Sequence, residues 1–140
     1  MMAGFNQQPD QKKVRKKIAL VVGLMLFLSF LHVINIKSFL NSKLSIYYSS
    51  FFSDLLLPFG VYFLIAMNDW RYPVLKKWWV KALLTFSIPT FAEILQAFGI
   101  YALGSTFDPL DILMYGIGVM MAVLLEKFVF EPYISFWNLY

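Results

Sequence analysis

Phe91-Ala-Glu-Ile-Leu-Gln-Ala-Phe98 and, a few residues on, Ser105-Thr-Phe-Asp-Pro-Leu-Asp111 decide how this chain is read. They set an acid and an amide three residues apart inside one apolar run, then two aspartates three residues apart at the head of the next. On a helix, a spacing of three puts both members of a pair on one face. An ionisable group inside a membrane-crossing segment costs about 2.5–3.5 kcal/mol on insertion scales, so Glu93 and its neighbours read as a site. That reading requires the runs to be membrane segments, and the rest of the chain points the same way.

Of 140 residues, 60% are hydrophobic, 19% aromatic and only 14% charged. A soluble domain carries about 25% charged residues, and with so few this chain would present large apolar patches to water. The chain has no cysteine, which excludes disulfides, thiolate chemistry and cysteine-ligated metals. The net charge of +4 is placed where membrane topology puts basic residues, so no nucleic-acid partner is expected.

Residues 1–17 form a polar tail ending in Lys12-Lys-Val-Arg-Lys-Lys17. The run Ile18–Ile36, broken only by Ser29, His32 and Asn35, is long enough to span a bilayer. It exceeds a signal-peptide core and no small-x-small cleavage site follows, so a retained first transmembrane helix is expected. Further runs cover Tyr48–Met67, with Asp54 and Pro58, and Trp79–Tyr101, with Pro89, Glu93 and Gln96. The last covers Pro109–Phe130 and is closed by Pro132; Pro109 suits a first helical turn, where its missing N–H has no partner to lose.

The expected fold is therefore all-α: a polytopic membrane protein of four transmembrane helices. Its parts are a basic tail at 1–17, the four-helix domain at 18–130, and an aromatic tail at 131–140 lying along the membrane interface or against a partner. With the N-terminus inside, ten of the twelve basic residues fall on the cytoplasmic side, leaving Lys37 and Lys43 outside. This positive-inside bias makes both termini cytoplasmic, and Trp70, Trp78 and Trp79 flank the inner loop as an aromatic belt.

That topology gathers half of the eight acids at the outer edge. The candidate ligand-binding residues are Asp54, Glu93, Gln96, Asp108 and Asp111, with His32 and Asn35 placed to join them. Pro58 and Pro89 each remove a helical hydrogen bond, freeing the carbonyls of Asp54 and Thr85. Plainer roles compete with ligand binding. Asp108 suits an N-cap for the fourth helix. Glu93 and Gln96 suit interhelical hydrogen bonding, Asp111 suits pairing with Lys37 or Lys43, and a lone His32 suits a structural role. Gly116, Gly118 and Ala122 read as helix packing, the last two as a small-xxx-small pair. No phosphate-binding glycine loop, zinc signature or nucleophile elbow is present, and neither metal nor cofactor is expected.

These residues resemble the VanZ-like family of small bacterial membrane proteins. The resemblance rests on Glu93-x-x-Gln96 in one helix, a short loop to Asp108-Pro-Leu-Asp111, and Gly118 with Ala122 in the next helix. It covers residues 91–125 closely, and Asp54 stands where the family carries an Asp near the start of its second helix. The chain departs from the pattern in three places. It has no Arg between Gln96 and Asp108, it has Tyr115 where an Asn precedes the glycine, and Leu55–Phe59 is apolar where Lys and His often follow the Asp. The resemblance implies a role in the bacterial cell envelope at the inner membrane and, through the family's namesake, a link to glycopeptide antibiotic resistance. It implies no reaction.

The expected function is an outward-facing acidic site that binds a polar group of a lipid, glycan precursor or glycopeptide, with membrane lipids as partners. Two alternatives stand beside it. One is a non-catalytic accessory subunit bound to a protein partner in a larger membrane complex. The other is a small membrane enzyme with Glu93 as acid and Asp108 or Asp111 as base.

Overall fold

A computed structural model describes residues 8–34, 41–101 and 106–139, and these are all-helical, without a strand. Helix α1 spans Gln11–Val33 and is capped by Asp10, whose carboxylate accepts the backbone N–H of Lys12 at 2.9 Å. Asn35 and Lys37 lie outside the described residues. Helix α2 spans Ser42–Ala66, beginning earlier than the apolar run at Tyr48, and a 3₁₀ turn at Pro73–Lys76 leads to α3, Trp78–Ala97.

The apolar run continues to Tyr101, but α3 stops at Ala97 because Gly99 takes a left-handed conformation, φ +79°. The N–H of Ile100 then reaches back to the carbonyl of Leu95, and that of Gly99 to Gln96, both at 2.9 Å. This six-to-one closure is the usual way a glycine ends a helix, and it leaves Glu93 and Gln96 in the last turns of α3.

Helix α4 spans Pro109–Leu125 and continues through a single π-helical turn, Glu126–Phe130, into a final helical turn at Glu131–Tyr133. The π turn brings Glu126 and Phe130 both inward, at 1% and 7% exposure. Two stretches, Gln11–Val33 and Pro109–Tyr133, are long and apolar enough to cross a membrane.

Among the described residues, helices α2 and α4 form the most extensive pair, α3 packs on both, and α1 packs along α2. The shared core holds Val21, Phe59, Tyr62, Phe63, Ala66, Ala122, Phe130 and Trp137. Trp137 comes from the tail that the sequence suggests for an interface or a partner. Here Trp137 and Leu139 are buried against the chain's own helices, while Tyr133 is exposed.

Gly118 sets the α2–α4 distance. A Cβ there would stand 2.3 Å from the carbonyl oxygen of Leu55 and 2.9 Å from Pro58 Cγ, so only glycine fits. Ala122, one turn on, is fully buried. Gly116 is different, since a Cβ there would meet Phe86 at an ordinary 3.7 Å. Gly118→Ala should therefore destabilise the protein by about 1–3 kcal/mol through overpacking. Gly116→Ala should be neutral or stabilising by up to about 1 kcal/mol, from helix propensity. Thermal unfolding of the two detergent-solubilised variants checks this; equal midpoints would reject the role given to Gly118.

Candidate functional site

The buried face of α3 reads Lys81, Thr85, Pro89, Ala92, Glu93, Gln96. A polar inward stripe on an otherwise apolar helix carries polar chemistry to both ends of the bundle. At one end it delivers Glu93 and Gln96, at 5% and 6% exposure. Glu93 Oε1 accepts from Tyr115 OH at 3.3 Å and from Gln96 Nε2 at 3.5 Å, while Oε2 accepts the backbone N–H of Asp108 at 3.5 Å. These lie at or beyond the long limit of hydrogen bonding. Among the described residues no cation forms an ion pair with Glu93. It is a buried carboxylate with weak partners.

Asp108 does cap α4, accepting the N–H of Leu110 at 2.9 Å. Asp54 on α2 and Asp111 on α4 lie close enough to interact electrostatically with each other, and each feels the charge of Asp108. Asp54 also feels Glu93, and Tyr115 lies in the field of Asp54, Glu93 and Asp111. The five residues Asp54, Glu93, Gln96, Asp108 and Asp111 thus come together, and Tyr115 stands among them. Tyr115 lies one helical turn after Asp111 and three residues before Gly118, on the inward face of α4, and that register is the signal that would have found it.

His32 does not join this cluster. It lines a separate cavity of about 270 Å³ between α1 and α2, with Leu31, Ile34, Tyr48, Ser49 and Ser53. Asp111 forms no ion pair with Lys43 among the described residues. No group of three or more His, Asp or Glu among them is arranged to hold a metal ion. The cluster's capacity is for accepting hydrogen bonds, which suits a group rich in donors.

The opposite end holds a polar cluster that the sequence analysis missed. Glu126 accepts from Lys81 Nζ, from Tyr62 OH and, at 3.1 Å, from Trp137 Nε1. Lys81 is 2% exposed and Tyr62 fully buried. Lys17 of α1, also buried, pairs with Asp69 at 2.7 Å and donates to the Trp137 carbonyl at 3.1 Å. Its ammonium lies 4.3 Å from the centroid of the Trp137 ring, a cation–π contact. A cavity of about 200 Å³ opens beside this cluster, lined by Asp69, Lys81, Glu126, Trp137 and neighbouring residues. In the sequence, Lys17 and Lys81 count only among the basic residues that set the orientation. The available signals were Lys81 one turn before Thr85 on the polar face of α3, and Glu126 one turn after Ala122.

Comparison of the chain with family models, with curated proteins and with solved structures returns no match.

The two ends should respond differently to substitution. Lys81→Met leaves Glu126 buried without its cation and should cost about 3–5 kcal/mol. Adding Glu126→Leu should recover part of that loss, because an apolar replacement of a buried pair is often tolerated. Thermal midpoints of the single and double variants measure the effect, and a harmless Lys81→Met would mean that the pair is not a buried ionic one.

Proposed function

We propose that this chain is a VanZ-like integral membrane protein of the bacterial cell envelope, crossing the inner membrane four times with both termini cytoplasmic. Its outward-facing acidic cluster binds a donor-bearing polar group of a lipid, glycan precursor or glycopeptide. The distribution of basic residues supports this orientation, since it places the Glu126 end inside and the Glu93 end outside. Exposed apolar side chains on α3 such as Leu83, Ile88 and Phe91 support burial of that helix in lipid. The resemblance across residues 91–125 supports the envelope role.

The observation that carries the reading is Glu93. Its carboxylate is withdrawn from water, surrounded by further carboxyls and, among the described residues, satisfied only by contacts of 3.3–3.5 Å. A ligand hydroxyl or ammonium replaces those contacts with shorter, charge-assisted bonds of about 2.7–2.9 Å. Asp54, Asp111 and Tyr115 supply the surrounding acceptors and a phenol that holds Glu93 in place.

Two experiments test the proposal. Native mass spectrometry of protein extracted gently from its own membrane should show a lipid or glycan mass that is lost in Glu93→Gln at unchanged protein level. Persistence of that mass, or its absence from the parent protein, counts against the site. For topology, the cysteine-free chain allows single thiols at Phe107→Cys and Val74→Cys. An impermeant maleimide added to intact cells should label the first and spare the second; labelling of both from one side would refute the four-span arrangement.

A further inference from the structure

We infer that residues 134–139 act as a strap that ties the start of α1 to the bundle and seals the polar end beside Glu126. This does not depend on the ligand proposed for the Glu93 end.

Helix α1 is weakly held. Its buried residues are Val14, Lys17 and Val21, all in its first half. Further along it meets α2 through Met25 and Leu28 over Gly60, while Leu26, Phe27 and Phe30 stay exposed. The one buried polar residue on α1, Lys17, is held jointly by Asp69 and by the carbonyl of Trp137.

The strap is itself held through few points. Backbone bonds from Ile134 N–H to Phe130 and from Trp137 N–H to Ile134 shape its turn. Tyr133, Ser135 and Asn138 are exposed, so attachment falls mainly on the buried Trp137 and Leu139, with Ile134 packed against the edge of the core. The Trp137 ring sits 4.7 Å from Phe130 and 6.0 Å from Phe63, centroid to centroid. Its indole N–H is donated to Glu126 and its carbonyl accepts from Lys17, so that with the backbone N–H on Ile134 all three polar groups of that residue are partnered.

Trp137, Asn138 and Leu139 form one wall of the cavity, with Asp69, Lys81 and Glu126 on the others. With the strap down, Trp137 covers Glu126 and the Lys81–Glu126 pair is almost fully buried. With it lifted, water reaches the pair, Glu126 loses a donor, and Lys17 loses one of its two partners. A short segment thus sets both the hydration of this end and the seating of α1, as a latch would.

The absence of cysteine makes the test direct. Ala66→Cys places a thiol in the apolar cluster shared with Trp137, at a position with 0% exposure, and Ala92→Cys places one at the Glu93 end, at 6%. Labelling of the full-length, detergent-solubilised protein by a charged maleimide should be slow at both. Adding Trp137→Ala should speed labelling of the Ala66→Cys protein about tenfold or more, as expected when a local opening is made easier. Labelling of the Ala92→Cys protein should not change. Lys17→Met should act in the same direction, and Trp137→Phe, which keeps a ring but loses the N–H, should fall between parent and Trp137→Ala. An unchanged rate at Ala66→Cys in either Trp137→Ala or Lys17→Met overturns the proposal. So does equal acceleration at both reporters, which would make Trp137 a support of the whole fold rather than of one end.

Discussion

Glu126 imposes the constraint on which one end of this molecule depends. Removing a carboxylate from water costs several kcal/mol even after the protein relaxes, unless its lone pairs are occupied and its charge is balanced. Three donors meet that demand, and each arrives on a different segment: Tyr62 on α2, Lys81 on α3 and Trp137 on the tail. Glu126 therefore fixes those segments relative to α4. The π turn belongs to the same solution. It begins at Glu126 and ends at Phe130, whose ring packs with Phe63 and Trp137 around the polar group. Irregular turns of this kind inside helices recur where a side chain must be aimed.

The two ends of α3 use similar residues to different effect. About 18 Å of helix separates Lys81 from Glu93, at 1.5 Å per residue. At the Lys81 end, the acid has a cation, a phenol and an indole N–H, which occupy three of the roughly four acceptor positions of a carboxylate and balance its charge. At the Glu93 end a buried acid has a phenol, an amide and a backbone N–H, all at 3.3 Å or more, and among the described residues it has acidic neighbours and no ion pair. The first arrangement spends its hydrogen-bonding capacity on holding the fold. The second retains capacity, and retained capacity is what a binding site needs.

How much of this was legible in the sequence follows from the range of the interactions. The helices were, because hydrophobic runs and Pro109 report local preference. The Asp108 cap was legible too, because an N-cap acts within two residues. The approach of Asp54 to Asp111 was legible as two acids expected at the same end of the helices, although their direct electrostatic contact was not. The end of α3 was overrun by an apolar count that gave no weight to Gly99, whose left-handed conformation closes the helix. The Glu126 cluster was invisible for a different reason. Lys17 is 52 residues from Asp69 and 120 from Trp137 along the chain, and Tyr62 is 64 from Glu126. No periodicity reports such pairings. The tail was likewise read from its aromatic composition, which suits an interface and suits a core equally well.

The polar stripe of α3 explains why sequence position alone cannot separate structural from functional groups in a chain of this kind. Leu83, Leu84, Ile88, Phe91 and Ile94 point outward while Lys81, Thr85, Glu93 and Gln96 point inward. The membrane burial proposed above would account for this polarity, whereas in water burial of apolar surface drives the reverse arrangement. In an apolar surrounding, the hydrophobic effect no longer distinguishes one helix face from another, and packing and interhelical hydrogen bonds hold the helices together. Polar side chains then become the adhesive as well as the chemistry. Gly118 against the Leu55 carbonyl shows the packing part of that adhesion, and Glu126 with its three donors shows the polar part. What distinguishes Glu93 is neither its charge nor its burial, which Glu126 shares. It is the length of its hydrogen bonds and the sign of its neighbours, and both place the unspent interaction energy of the bundle at the Glu93 end.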